Sequence, residues 1–272
     1  MSLEFFCPVA PLFVPGNKPE LFDKARKSGA DALILDLEDA VAPSDKASAR
    51  TAVLAHEKSP VPVIIRINSS RSAWFEDDIS VLKTCRCDAV MLPKAESRAE
   101  IERLSELTGR PLPVIALIES ASGLASLSSI AGASGVAGLA FGALDLALDL
   151  DCQPDWDAML MARSALVLAA RLAGLPGPLD GVTPNVVQMD ITHSEAAKAR
   201  ALGFRGKMAI HPKQIEPILK AMLPTPEEIA WATSVIDITS GSGVARLDGA
   251  MIDAPLIVRA RRILAARSLA KA

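Results

Sequence analysis

The sequence predicts an α/β protein, a (β/α)8 or TIM barrel followed by a C-terminal helical extension. Two observations carry that expectation. Short apolar runs alternate with amphipathic stretches from residue 11 to residue 221, and polar side chains follow nearly every run. Runs without polar alternation fit parallel strands buried on both faces. Eight strand–helix units suit a closed barrel better than an open sheet.

In chain order the apolar runs are 11–15, 32–37, 61–67, 89–92, 114–118, 136–141, 179–182 and 206–210. The helical patterns between and after them are 19–28, 44–56, 74–84, 98–107, 121–131, 156–172, 194–202 and 212–221. Pro176 and Pro178 leave the seventh run short. In such barrels the chemistry sits at the carboxyl ends of the strands. Run two ends in Asp36, Glu38 and Asp39, run three in Arg66 and Asn68, run four in Lys94, and run five in Glu119 and Ser120. Run six leads to Asp145, run seven to Asp180 and Thr183, and run eight to His211. Acids thus face bases around one rim.

Beyond the eighth unit, 224–239 reads as a further helix opened by Thr225-Pro226-Glu227-Glu228. Ser240-Gly241-Ser242-Gly243 then breaks the chain before a hairpin-like 244–250, and a last helix, Ala254–Leu269, follows Asp253. The expected division is a catalytic barrel over 1–223 and an extension over 224–272 that acts as a lid or reaches a neighbouring subunit.

Composition narrows the function. Half of the 272 residues are apolar, enough for a dry core, and the net charge is only −3. Scattered Lys and Arg, few aromatics and no Tyr argue against a nucleic-acid partner. No apolar run is long enough to span a membrane and no signal peptide is evident, so a cytoplasmic protein is expected. The four cysteines, including Cys85 and Cys87, read as buried free thiols, because that pair is too closely spaced for a zinc knuckle and has no second pair. Gly132, Gly135 and Gly138 precede a strand, whereas a dinucleotide site needs them after one. Close helix–strand packing is the expected reason for them. No Walker sequence, nucleophile elbow or His-rich metal motif occurs.

Several stretches resemble the citrate lyase β-subunit-like branch of the HpcH/HpaI aldolase family, which includes malyl-CoA and citramalyl-CoA lyases. They are Leu12-Phe13-Val14-Pro15-Gly16, Leu35-Asp36-Leu37-Glu38-Asp39-Ala40-Val41, Arg66-Ile67-Asn68, Met91-Leu92-Pro93-Lys94 and Ile118-Glu119-Ser120. Phe141-Gly142-Ala143-Leu144-Asp145-Leu146, Gly206-Lys207-Met208-Ala209-Ile210-His211-Pro212 and Met251-Ile252-Asp253-Ala254-Pro255 complete the set, in family order. The resemblance implies a homotrimer or a multiple of one, Mg²⁺ held by Glu119 and Asp145, and substrate contacted by Arg66 and Glu119. It also implies that Asp253 matches an acid that reaches a neighbouring subunit's active site. Val9-Ala10-Pro11 stands where the family often carries a basic residue and Ser, so the residues that would hold a CoA phosphate are unassigned. Val182-Thr183-Pro184-Asn185 replaces the family's acidic stretch.

The implied reaction is cleavage of a β-hydroxyacyl-CoA thioester, such as citramalyl-CoA or malyl-CoA, to acetyl-CoA and a 2-keto acid. Alternatives are the citryl-acyl-carrier-protein lyase subunit of a citrate lyase complex, a malyl-CoA-type thioesterase, and a non-catalytic scaffold. Negative charge gathers on oxygen as the carbon–carbon bond breaks, which suits a hard cation with one or two protein carboxylates. The planar fork of Arg66 suits a carboxylate or developing oxyanion. Glu38 and Asp39 are expected to orient metal-bound water or basic neighbours, and Asp253 to transfer a proton at the enolate carbon. Each has a plainer reading. Glu119 could cap a helix, Asp145 competes with Asp149 and Asp151, and Arg66 could simply pair with Glu38 or Asp39. His211 reads as a strand-end hydrogen-bonding residue and Lys94 as a support or ion-pair partner.

Overall fold

The computed structural model describes residues 7–239, 246–247 and 250–269. Two compact units divide between Ile218 and Leu219.

The first unit alternates strands and helices. Its strands are β1 (Leu12–Pro15), β2 (Leu33–Asp36), β3 (Val63–Arg66), β4 (Ala89–Leu92), β5 (Val114–Ile118), β6 (Val136–Phe141), β7 (Leu179–Asp180) and β8 (Gly206–Lys207). The intervening helices are α1 (Phe22–Arg26), α2 (Lys46–Ala55), α3 (Phe75–Leu82), α4 (Arg98–Thr108), α5 (Ala121–Ala125), α6 (Leu127–Ala131), α7 (Ala143–Asp149), α8 (Leu160–Leu172) and α9 (Met189–Leu202). Helix α10 (Ile215–Met222) follows β8 and runs across the division.

The eight strands pair in sequence order, all in parallel. The sheet closes on itself just beyond β8, where Ala209 bridges Leu12. There Phe13 N–H donates to the Ala209 carbonyl at 2.8 Å and Ala209 N–H to the Pro11 carbonyl at 2.9 Å. Inside, Ile34, Ile64, Met91, Ile115, Leu117 and Met208 form one packed cluster with Ala32, Ala89 and Ala140. Branched chains from successive strands fill the barrel as a core, so it is no pore. The neighbouring strand residues Leu33, Leu35, Ile65 and Val90 are buried too. Burial on both faces explains why these strands lack polar alternation.

Local signals set the helix ends. Ser97 and Glu100 form a reciprocal capping box at the start of α4, and Gly109 ends it in the left-handed region at φ 64°. The structure departs from the expected pattern in four places. The single helix expected over 121–131 is two, joined at Ser126. Helix α7 fills a stretch where none was expected. Helix α8 begins at Leu160 where 156 was expected, and α9 at Met189 where 194 was expected. The glycines of 132–138 are not all there for packing, since a Cβ on Gly138 would meet nothing within 4 Å.

Strands β7 and β8 have only two residues each, and buried charge pins them. Asp180, fully buried, accepts from Arg163 Nε at 3.1 Å and from Lys207 Nζ at 2.9 Å. Lys207 also donates to the Gly181 carbonyl at 2.7 Å and pairs with Glu195 at 3.1 Å. The Arg163 guanidinium lies between the rings of Phe141 and Trp156. Asp180 therefore fastens the seam and is no part of the open rim.

The second unit contains α11 (Pro226–Thr239), the antiparallel pair β9 (Arg246–Leu247) and β10 (Ala250–Met251), and α12 (Ala254–Leu269). Thr225 and Glu228 exchange hydrogen bonds at the start of α11. Ala232, Val235 and Ala260 form the buried centre between α11 and α12, with Trp231, Ile236 and Ile257 packed around them. The expected glycine hinge at 240–243 lies outside the described residues. Among the described residues, no helix is long and apolar enough to cross a membrane.

Replacing one member of a buried ion network strands the others at a cost of about 3–5 kcal/mol. Asp180→Ala should destabilise the barrel by that amount, measured by urea titration of tryptophan fluorescence. An unchanged midpoint would remove the ion network from the account of the seam.

Candidate active site

At the carboxyl ends of the strands lies a cavity of about 350 Å³. Phe13, Leu117, Phe141, Val182 and Met208 form its apolar lining, and Asp36, Asp39, Arg66, Glu119 and Asp145 supply its polar groups. The side chains come from seven of the eight strands or the loops that follow them.

Arg66, the last residue of β3, is gripped by Asp36, the last residue of β2, because the register of the parallel pair sets the two side by side. Its Nε donates to Asp36 Oδ1 at 2.7 Å and its Nη2 to Asp36 Oδ2 at 2.6 Å. This is the two-toothed pairing that a planar guanidinium favours. The same carboxylate accepts the backbone N–H groups of Glu38 (2.9 Å) and Ala40 (3.0 Å), so one side chain holds both the arginine and the following loop. The guanidinium lies over the Phe13 ring, and Nη1 reaches Glu38 Oε2 at 3.0 Å and Asp39 at 3.5 Å.

A second buried network holds that loop from beneath. Lys46 Nζ donates to the carbonyls of Leu37 (2.7 Å) and Glu38 (2.8 Å) and to Asn68 Oδ1 (2.8 Å). Asn68 in turn donates through Nδ2 to Asp78 at 2.6 Å and to the Leu37 carbonyl at 2.9 Å. Glu38 is thereby fixed facing Arg66 and Lys94. Burial pushes its carboxyl up to about 7, against the pull of Arg66 and Lys94.

Lys94 sits at φ 49°, a strained conformation for a residue with a side chain. The turn aims its backbone N–H at Glu119 Oε1, at 2.9 Å. Its Nζ lies 3.2 Å from Glu38 Oε1 and 3.7 Å from Asp145 Oδ2. One residue thus touches three of the acids. Glu119, at the end of β5, is 4 % exposed. Burial foremost, then the negative charges of Glu38 and Asp145, push its carboxyl up to about 8. Its position depends on Gly142, where a Cβ would come within 2.4 Å of Glu119 Oε2. The chain must approach the carboxylate more closely than any side chain allows.

Most of the residues singled out from the sequence therefore meet. Arg66, Asp39, Glu119 and Asp145 line the cavity, and Glu38 joins them through Arg66 and Lys94. Glu119 does not cap a helix. That role falls to Ser120, which accepts from Gly123 N–H, and Asp149 accepts from Ala121 N–H. Asp149 is thus spoken for, while Asp145 faces the cavity. Arg66 does pair with Glu38 and Asp39, but Asp36 is its principal partner. His211 caps a turn, accepting from Lys213 N–H. Asp253 lies in the second unit, exposed, with Oδ1 accepting from Leu256 N–H at the start of α12.

Sequence reasoning passed over Asp36, Lys46 and Asn68 as working parts of the site, although Asp36 and Asn68 stood within quoted motifs. The cysteine expectation is corrected. All four are free, but only Cys85 is buried, and Cys152 is exposed because it follows α7 in a surface turn. Among the described residues no group of three or more His, Cys, Asp or Glu is arranged to hold a metal. A cation here would depend on two carboxylates and other oxygens.

The family described as HpcH/HpaI aldolase/citrate lyase matches residues 10–212. A citrate lyase subunit beta-like protein of Deinococcus radiodurans is 34% identical over 93% of this chain and 95% of its own length. A (3S)-malyl-CoA thioesterase of Cereibacter sphaeroides is also 34% identical, over 93% and 92%. The crystal structure of CitE from Mycobacterium tuberculosis with magnesium, acetoacetate and coenzyme A superimposes with a TM-score of 0.85 at 35% identity, covering 96% of this chain and 98% of that one.

The raised Glu119 carboxyl makes stability depend on pH. An acid whose folded pKa exceeds its unfolded value binds more protons when folded, so stability is lost as pH rises from about 4.5 to about 8. In chelator-containing buffer the unfolding midpoint should fall across that window, and Glu119→Gln should flatten the fall. A profile identical in the two proteins would show that Glu119 is not held as described.

Proposed function

The chain belongs to the HpcH/HpaI aldolase/citrate lyase family, and on that premise we propose that it is a Mg²⁺-dependent carbon–carbon lyase. Its substrate is a β-hydroxyacyl-CoA thioester such as malyl-CoA or citramalyl-CoA, cleaved to acetyl-CoA and a 2-keto acid. The observation that carries this reading is the convergence of one guanidinium and two carboxylates, Glu119 and Asp145, on a single cavity with an apolar lining.

The residues present fit a hard cation. Glu119 and Asp145 offer only oxygen donors, and the Glu119 carboxyl is pushed up by burial foremost and then by the charges of Glu38 and Asp145, which a cation would offset. When bound, Mg²⁺ would supply a Lewis acid for charge gathering on the substrate's oxygens. Arg66, immobilised by Asp36, takes up charge on the reacting oxygen without reorganising, a contribution of about 3 kcal/mol for one comparable donor. The apolar lining of Phe13, Leu117 and Met208 lowers the local dielectric and strengthens these interactions. Lys94 orients Glu119 through its backbone and neutralises Glu38 through its side chain. Asp253, exposed on the second unit, donates a proton to the enolate carbon of a neighbouring subunit's substrate within a trimer.

One alternative has its own support. Relatives with the name (3S)-malyl-CoA thioesterase match as closely as the citrate lyase-like ones, so the same pocket could deliver water to the thioester. Hydroxyacyl-CoA esters incubated with Mg²⁺ or with chelator, and read by mass spectrometry, separate the two. Acetyl-CoA with a keto acid marks the lyase, free CoA with an intact hydroxy acid marks the thioesterase, and no Mg²⁺-dependent turnover across the panel would defeat both.

Arg66→Ala should lower kcat/KM by about 10²–10³-fold. Asp145→Asn should abolish Mg²⁺ binding in calorimetry. Asp253→Asn should lower kcat by about 10²–10⁴-fold while leaving Mg²⁺ affinity intact. Cleavage by Asp253→Asn at the wild-type rate would remove that residue from the mechanism.

A further inference from the structure

The loop leading into β4 carries Cys85 and Cys87, and it lies at the opposite ends of the strands from the cavity described above. Their sulfurs are 3.4 Å apart and share a hydrogen bond. Both face an open cavity of about 650 Å³. A disulfide needs sulfurs at about 2.0 Å, so closing the bond takes a movement of roughly 1.4 Å. The loop is neither helix nor strand, and side-chain rotation there meets no hydrogen-bonded ladder.

The surroundings are built around this pair. Arg110 donates to the carbonyls of Leu82 (3.2 Å), Cys85 (2.8 Å) and Cys87 (3.2 Å), and its Nη2 lies 3.9 Å from Cys87 Sγ. Asp88 anchors the far end of the loop, accepting from Val63 N–H at 2.7 Å. Lys58, Arg86 and Arg110 line the cavity, and Asp88 is the one acid among its lining residues, its carboxylate engaged by that backbone. Cys85 Sγ donates to Cys87 Sγ, and Arg110 Nη2 points at the same sulfur, so Cys87 Sγ accepts from two sides. Cys87 is also the more exposed of the two. A thiolate beside a fixed cation, with a second thiol in reach, is the arrangement that reacts with disulfides.

We infer that Cys85 and Cys87 form a thiol–disulfide exchange site for an anionic low-molecular-weight disulfide, with Cys87 as nucleophile and Cys85 as resolving thiol. The Cys87 thiolate attacks one sulfur of the small disulfide. A mixed disulfide forms, the small molecule's own S–S bond breaks, and one small thiolate leaves. Cys85, losing its proton to solvent, then attacks the Cys87 sulfur. The Cys85–Cys87 bond forms and the second small thiolate departs. The protein is oxidised by two electrons and the small disulfide reduced by two. The basic lining selects for a carboxylate-bearing disulfide. This inference stands apart from the lyase reading, since it uses none of the same residues.

The test uses the full chain with oxidised glutathione, alkylation of remaining thiols, tryptic digestion and mass spectrometry. The expected product is a Cys85–Cys87 link with the loss of two hydrogens, while exposed Cys152 carries at most a single glutathione. Cys85→Ser should accumulate glutathione on Cys87, and Cys87→Ser should leave Cys85 reduced. At low salt, oxidised glutathione should react several-fold faster than the neutral bis(2-hydroxyethyl) disulfide, and added salt should close the gap. If Cys85 and Cys87 both remain alkylatable in the native wild-type protein, the site does not exist. Modification of Cys85 in Cys87→Ser would overturn the assignment of the nucleophile. Equal rates for the two reagents at low salt would overturn the anionic class.

Discussion

Everything at the barrel mouth follows from crowding acids, three of them buried, where cations are few. Asp36, Glu38, Glu119 and Asp145 crowd one end of the barrel, and Arg66 and Lys94 are the basic groups among them. Asp36 takes most of the arginine fork. What remains for the other three is one corner of that guanidinium and a single ammonium. Burial weighs most for Glu38 and Glu119, by removing water that would otherwise stabilise the anions, and the shortfall adds to it. A protein core optimised for stability alone would not assemble such a set. Its persistence makes sense where a ligand completes the charge balance.

The backbone accepts local cost to keep the acids in place. Lys94 holds a left-handed turn that other residues avoid, and in return its amide meets Glu119. Gly142 forgoes a side chain so that the chain can pass against the same carboxylate. Beneath them, Lys46 and Asn68 satisfy the carbonyls of the β2–α2 loop, which no regular secondary structure serves. Strain at the rim is thus supported by fully bonded polar groups below it. Such division is expected when a site must be rigid before its ligand arrives.

Much of this was legible because strand ends and rim chemistry share one rule. An apolar run followed by a charged residue announces both the strand and the direction in which its end points. That is how Arg66, Glu119 and Asp145 could be gathered before any coordinates. The rule fails where a charge serves the core. Asp180 follows an apolar run just as Asp145 does, yet it is sealed between Arg163 and Lys207. The difference lies in which partners are near in space, and those partners come from α8 and β8. Likewise the pairing of Asp36 with Arg66 depends on inter-strand register, which a linear pattern does not display. The break between α5 and α6 at Ser126 carries no proline or glycine to announce it.

The seam charges also bear on how such a chain can change over generations. Asp180 serves two cations at once, so losing either alone leaves an acid half-compensated, and losing the acid leaves Arg163 without a carboxylate and Lys207 with Glu195 alone. An all-hydrocarbon replacement would need all three positions to alter together. Residues 163, 180 and 207, far apart along the sequence, are thus bound together by charge, and a single substitution at any of them carries a cost that the other two cannot absorb.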